Sequence, residues 1–134
     1  MSSKVFFYGT LMSGFDRRHR AGLDGRLSFL GRAWTNGQLF DLGLYPGAVP
    51  SEDGRIWGEV YETSEPGPVL EALDEIEGFD PDSPDNSLYL RQRVEVRFPE
   101  GTAVTAWIYF YNAPLGQALP IPSGDYRELF RARN

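Results

Sequence analysis

Pro68-Val69-Leu70-Glu71-Ala72-Leu73-Asp74-Glu75-Ile76-Glu77-Gly78 is the clearest helical stretch of this chain, and most of what surrounds it reads as strand. It follows a Pro-Gly start and stops at a glycine, as a short helix does. Turned at about 100° per residue from Leu70 at roughly 0°, Leu73, Val69 and Ile76 fall at about 300°, about 260° and about 240°. That is the apolar arc. Glu71, Asp74 and Glu75 point elsewhere, toward solvent, whereas Glu77 falls at about 340°, inside the arc. A carboxylate against a core costs several kcal/mol unless it is protonated or paired. Glu77 is therefore a candidate for function rather than stability. The structural alternative is a frayed helix end, from which Glu77 swings out to solvent or bonds back to a nearby amide.

Outward from the helix the pattern is β. Arg55 to Glu62 places Ile56 and Val60 on one face and Trp57, Glu59 and Tyr61 on the other, and Gly58 between them predicts a bulge or a close backbone approach. Residues 79–88 (FDPDSPDNSL) form an acidic, proline-bearing surface loop. Tyr89 to Phe98 and Thr102 to Tyr111 then straddle Pro99-Glu100-Gly101 as a hairpin. Leu90, Val94, Val96 and Phe98 alternate there with Arg91, Arg93, Glu95 and Arg97, which predicts one buried face and one wet one.

On the N-terminal side, Leu27 to Trp34 and Gln38 to Leu42 flank Asn36-Gly37, a strong hairpin signal. Residues 43–54 read as loop. Lys4-Val5-Phe6-Phe7-Tyr8, broken by Gly9, is a central strand entering a tight turn. The tail turns at Pro120-Ile121-Pro122 and ends in a helix-like piece, Gly124 to Arg133, that Asp125 can cap. About six or seven strands and one main helix make an α+β fold, a small twisted mixed or antiparallel sheet closing into a barrel. Residues 1–134 are expected to form one domain.

Composition narrows the chemistry. A net charge of −6, from 13 basic and 19 acidic side chains, argues against a nucleic-acid or anionic-membrane surface. The short cluster Arg17, Arg18, His19 and Arg20 does not overturn this. No cysteine is present, which removes disulfides and thiolate chemistry, and the single histidine, His19, reads as a solvated surface residue among arginines. No apolar run has signal-peptide or transmembrane character, so a cytoplasmic protein is expected.

Tyr8-Gly9-Thr10-Leu11 is the second candidate. A strand ending in a glycine turn can aim successive backbone amides into one anion-binding concavity, with Gly9 admitting a ligand close to the main chain and Thr10 adding a hydroxyl. A small carboxylate held there, beside a partly buried glutamate whose neighbour Asp74 raises its pKa by like charge, suits proton transfer near neutral pH. Glu59 either points into the barrel interior or pairs with an arginine across the strands. Tyr89, Tyr109 and Tyr111 lie near one sheet edge and either donate hydroxyl hydrogen bonds or serve as core aromatics. Asp80, Asp82 and Asp85 lack the glycine and terminal glutamate of a calcium loop, and no metal is assigned.

These residues together resemble the gamma-glutamylcyclotransferase-like, or AIG2-like, superfamily, closest in pattern to gamma-glutamylamine cyclotransferase. The resemblance covers nearly the whole chain. It rests on Tyr8-Gly9-Thr10-Leu11, Gly58-Glu59-Val60-Tyr61, Leu73-Asp74-Glu75-Ile76-Glu77-Gly78, Tyr89-x-Arg91 with Val94-x-Val96, and the aromatic strand from Trp107 to Tyr111. It implies a cofactor-free enzyme acting on a small gamma-glutamyl amide. The substrate's α-amine attacks its own γ-carbonyl, closes a lactam, and releases 5-oxoproline and a free amine. It also implies that Glu77 is the general base and acid, that the amides of Tyr8 to Leu11 grip the α-carboxylate, and that Tyr89 lines the pocket. The oxyanion donor would be a loop amide or a tyrosine hydroxyl. A binding protein that kept the pocket without turnover, or a related reaction on another glutamyl-bearing metabolite, remains open. The leaving group and the oligomeric state have no signature in the sequence.

Overall fold

The computed structural model describes residues 2–13, 22–23 and 25–133, so the Arg17–Arg20 cluster with His19 lies outside the described residues. In chain order the elements are β1 (Ser3–Phe7), β2 (Ser28–Asn36), β3 (Gln38–Asp41), β4 (Pro46–Val49), β5 (Arg55–Thr63), α1 (Pro66–Glu77), a 3₁₀ turn (Pro84–Asn86), β6 (Tyr89–Arg97), β7 (Ala103–Tyr111), β8 (Leu119–Pro120) and α2 (Tyr126–Arg133). Five strands close into a barrel in the order β1-β5-β2-β6-β7, and β4-β3-β8 form a second, three-stranded sheet.

The period-two alternation sets the barrel wall. Phe6 pairs with Val60, Ala33 with Gly58 and Val96 with Val104, and this inward row continues through Ile56 and Ile108. Phe6, Ala33, Ile56, Val60, Val96 and Ile108 are each no more than 1% exposed. Gly58 makes the predicted close approach. A Cβ there would sit 2.2 Å from the Phe7 carbonyl oxygen, so only glycine lets β1 and β5 lie this close. The β6–β7 hairpin forms as expected, in continuous register from Tyr89↔Tyr111 to Arg97↔Ala103.

α1 begins at Pro66, two residues earlier than the sequence suggests, because Pro66 can occupy the first helical position, where its missing N–H costs nothing. It ends at left-handed Gly78, where the Gly78 and Phe79 amides return to the carbonyls of Glu75 and Asp74. At the second helix the Arg127 amide donates to Asp125 Oδ1 at 3.0 Å, so Asp125 is the cap its position predicted.

Two local expectations fail. Asn36-Gly37 makes no hairpin. β2 is paired on one edge with β5 and on the other with β6, so β3 has no free edge to fold back on and crosses into the second sheet. Within 43–54, read as loop, Pro46–Val49 forms β4 against β3. It is an edge strand, the position where proline is tolerated, and Gly47 is small because Leu42 and Tyr111 pack onto it.

Candidate active site

α1 lies on the outer face of the barrel, against β6 and β7. Val69 and Leu73 are fully buried on its inner side, and Asp74 is 8% exposed. The helical wheel sends Asp74 to solvent, and the structure corrects this. Tyr109 donates its hydroxyl to Asp74 Oδ1 at 2.6 Å, Arg91 Nη2 donates to Oδ2 at 3.2 Å, and Arg91 Nε lies 2.9 Å from Oδ1 as an ion-pair contact. Arg91, expected on the wet face of β6, is consequently mostly covered. Its guanidinium sits 4.7 Å from the centroid of the Trp107 ring, a cation–π contact. Glu77, one turn further along α1, is half-buried rather than enclosed.

One cavity gathers the sequence candidates. Tyr8, Gly9, Thr10, Leu11, Glu77 and Tyr89 all line it, together with Tyr45, Pro46 and Tyr109, and its empty volume is about 370 Å³ including the mouth. Gly9 to Met12 form a tight turn closed by the Met12 amide on the Gly9 carbonyl at 3.0 Å. Gly9 is needed for packing as well, since a Cβ would meet Pro46 Cγ at 2.9 Å. The tyrosines build the wall. Tyr8 donates its hydroxyl to the Tyr109 carbonyl at 2.6 Å and accepts from the Ala48 amide at 3.2 Å, and Tyr89 donates to the Pro46 carbonyl at 2.9 Å. These bonds tie β4 of the second sheet to the barrel. Without that sheet the cavity would lack one side.

Electrostatics mark one group near the helix end. Burial, followed by the hydrogen bond to Asp74, pushes the Tyr109 hydroxyl far above the ordinary tyrosine range, and the charge of Glu77 adds to the shift. Tyr109 thus stays protonated, with its proton directed at Asp74.

Other candidates fall elsewhere. Glu59 points neither into the barrel nor at a cross-strand arginine. It lies on the outer face and bonds Arg127 of α2, while Arg32, its partner across the strands, goes to Asp125. Asp80 caps its own loop, accepting the Asp82 amide at 2.9 Å. Residues 79–88 contribute nothing to the cavity wall, although Phe79, Asp80 and Pro81 line a separate open groove beyond Asp74.

A family model described as gamma-glutamyl cyclotransferase, AIG2-like, matches residues 5–128. The chain belongs to this family. Among its relatives is the gamma-glutamylcyclotransferase family protein YtfP of Escherichia coli K12, 33% identical over 126 residues that cover 92% of this chain and 95% of that protein. The solution structure of E. coli YtfP matches with a TM-score of 0.65 at 30% identity, over 95% of this chain and 98% of that one. The crystal structure of a mouse AIG2-like protein matches with a TM-score of 0.71 at 29% identity, over 91% and 86% of the two chains. Among the described residues of this family member, no helix is long and apolar enough to cross a membrane.

Sequence reasoning passed over Tyr45 and Pro46 and misplaced Asp74. The first two sit in a stretch read as loop. Asp74 carries no local signal, since its partners Arg91 and Tyr109 come from β6 and β7.

Proposed function

We propose that the protein is a cofactor-free cyclotransferase that converts a gamma-glutamyl amide into 5-oxoproline and a free amine. The observation that carries this reading is the single cavity in which the Tyr8–Leu11 turn faces Glu77, the only carboxylate among its described lining residues. The turn's amides receive the substrate's α-carboxylate. Glu77 takes a proton from the α-ammonium, whose ordinary pKa is about 8. The freed amine attacks the γ-carbonyl carbon, and the carbonyl π electrons move to oxygen as the ring closes. Collapse of this intermediate breaks the bond to the departing nitrogen, which takes the proton back from the carboxyl group of Glu77. The regenerated carboxylate then accepts the second proton of the ring nitrogen, leaving the neutral lactam, and passes it to the released amine, which departs as its ammonium. Atoms balance without any other reactant.

Because the attack is intramolecular, holding the glutamyl chain folded contributes much of the rate. The hydroxyl protons of Tyr8, Tyr89 and Tyr109 are directed at protein acceptors. Those three protons are thereby engaged rather than aimed at the developing oxyanion.

The test is release of 5-oxoproline, followed by mass spectrometry, from gamma-glutamyl amino acids, gamma-glutamyl amines and glutathione, with Glu77→Gln as control. Release by wild type alone is expected. Silence across the panel from a folded protein, or undiminished release by Glu77→Gln, overturns the proposal. Binding without turnover would instead identify a binding protein.

A further inference from the structure

A single residue outside the cavity holds the cavity's turn at both ends. The chain enters the turn from Phe7, whose antiparallel partner in β5 is Glu59. It leaves at Ser13, and the Glu59 side chain binds Ser13 twice: the amide donates to Oε1 at 2.7 Å and the hydroxyl to Oε2 at 2.7 Å. Tyr61 donates its hydroxyl to the same Oε1 at 2.8 Å. Arg127, in the first turn of α2, completes the arrangement by donating through Nη2 to Glu59 Oε2 at 3.1 Å and to the Ser13 carbonyl at 2.6 Å. All three polar groups of Ser13 are therefore committed to the Glu59–Arg127 pair.

Glu59 is 8% exposed, and burying a carboxylate is expensive. Its donors offset the cost, yet apolar side chains of similar volume commonly stabilise a fold as well or better. What a carboxylate adds is direction, since its two oxygens grip one backbone segment in one orientation. From this geometry we infer that Glu59 and Arg127 are a clamp that holds the Tyr8–Met12 turn in its receiving shape, and so are positioning residues for the substrate's α-carboxylate. The inference rests on the cyclotransferase reading above. It makes α2 part of the binding apparatus, although none of its described residues lines the cavity.

The kinetic consequence follows from the chemistry. The α-carboxylate does not change during ring closure, so the turn holds substrate and transition state alike. Loosening such a contact raises KM and spares kcat. The cost is that of ordering the turn again each time substrate binds.

Glu59→Gln tests the clamp by placing an amide donor where only donors converge, and Arg127→Met removes the cation while keeping a long side chain. Two readouts are needed. Amide hydrogen exchange over Thr10 to Ser13 should become at least about tenfold faster, with the β6–β7 hairpin unchanged. KM for the best gamma-glutamyl amide should rise about tenfold, with kcat within about threefold of wild type. Should Glu59→Gln fail to fold, Ser13→Ala removes one hydroxyl bond and carries the same test at smaller amplitude. Unchanged exchange in the variants overturns the clamp, whether or not any substrate is turned over. Faster exchange with an unmoved KM overturns its link to binding. A folded wild type that releases no 5-oxoproline defeats the cyclotransferase reading instead, and the exchange result still decides the clamp.

Discussion

Two successive turns of α1 put a carboxylate on the same side of the helix and treat it in opposite ways. Asp74 meets a wall: a tyrosine hydroxyl and an arginine from the β6–β7 hairpin satisfy it, and it is 8% exposed. Glu77 meets a cavity and remains half-buried. Burial alone therefore does not mark the acid proposed to act on substrate. A buried carboxylate whose oxygens are taken by an arginine and a hydroxyl has both committed to the protein, whereas one facing open volume can meet whatever enters.

The largest expected effect breaks the cavity side of this contrast. Glu77→Gln should lower kcat for 5-oxoproline release by about 10²- to 10⁴-fold, the usual worth of a positioned acid–base group, while the thermal midpoint stays near that of wild type. A large loss of stability in its place would mean that Glu77 is structural. The wall side should answer in the reverse sense. Asp74→Asn leaves Arg91 without its counter-charge, and urea titration should show a loss of about 2–4 kcal/mol. A loss within about 0.5 kcal/mol would remove the distinction between the two acids.

Tyr109→Phe is a finer probe. It deletes one hydrogen bond to Asp74 but keeps the ring, so the expected loss is about 1–2 kcal/mol. The hydroxyl also gives a pH signature. Its pKa is raised in the folded protein, so the stability it contributes is complete below the unfolded tyrosine value of about 10 and declines as the pH rises beyond it. In Tyr109→Phe the alkaline fall of stability above about pH 10 should be shallower than in wild type. Identical slopes would show that the bond to Asp74 is not held in solution. The smallest effect is expected at Glu71, which is exposed on the same helix, where Glu71→Gln should change stability by less than about 0.5 kcal/mol and leave turnover unaltered.

The same contrast shows which parts of the molecule could be read from the chain. α1 was legible because its glycine stop and apolar arc are local, and the β6–β7 hairpin because its alternation runs unbroken on both sides of Pro99-Glu100-Gly101. Glu77 and the Tyr8–Leu11 turn stood out for similar reasons, one as a charge in an apolar arc and the other as a glycine after an aromatic strand. Asp74 did not. Its partners lie 17 and 35 residues away, and a helical wheel carries no information about what the opposing surface offers. Asn36-Gly37 misled because the preference of that pair for hairpins is local, while the edges of β2 were already claimed by β5 and β6. β4 was hidden by its own composition: proline and glycine mark a loop unless an edge strand happens to need them.

The closure of the barrel has one more consequence, for how the molecule comes to exist. β1 is synthesised early, yet its two edges wait for β5 and for β7, with Val5 lying beside Trp107 in a parallel pair. Contacts so distant along the chain are slow to form, because the long intervening loop must close before they repay its entropy. A nascent chain therefore carries Val5, Phe6 and Phe7 with one unpaired strand edge until Trp107 has emerged. Growth at low temperature or with ample chaperone should favour soluble product, because each gives that early strand time to meet its late partner before it meets another chain.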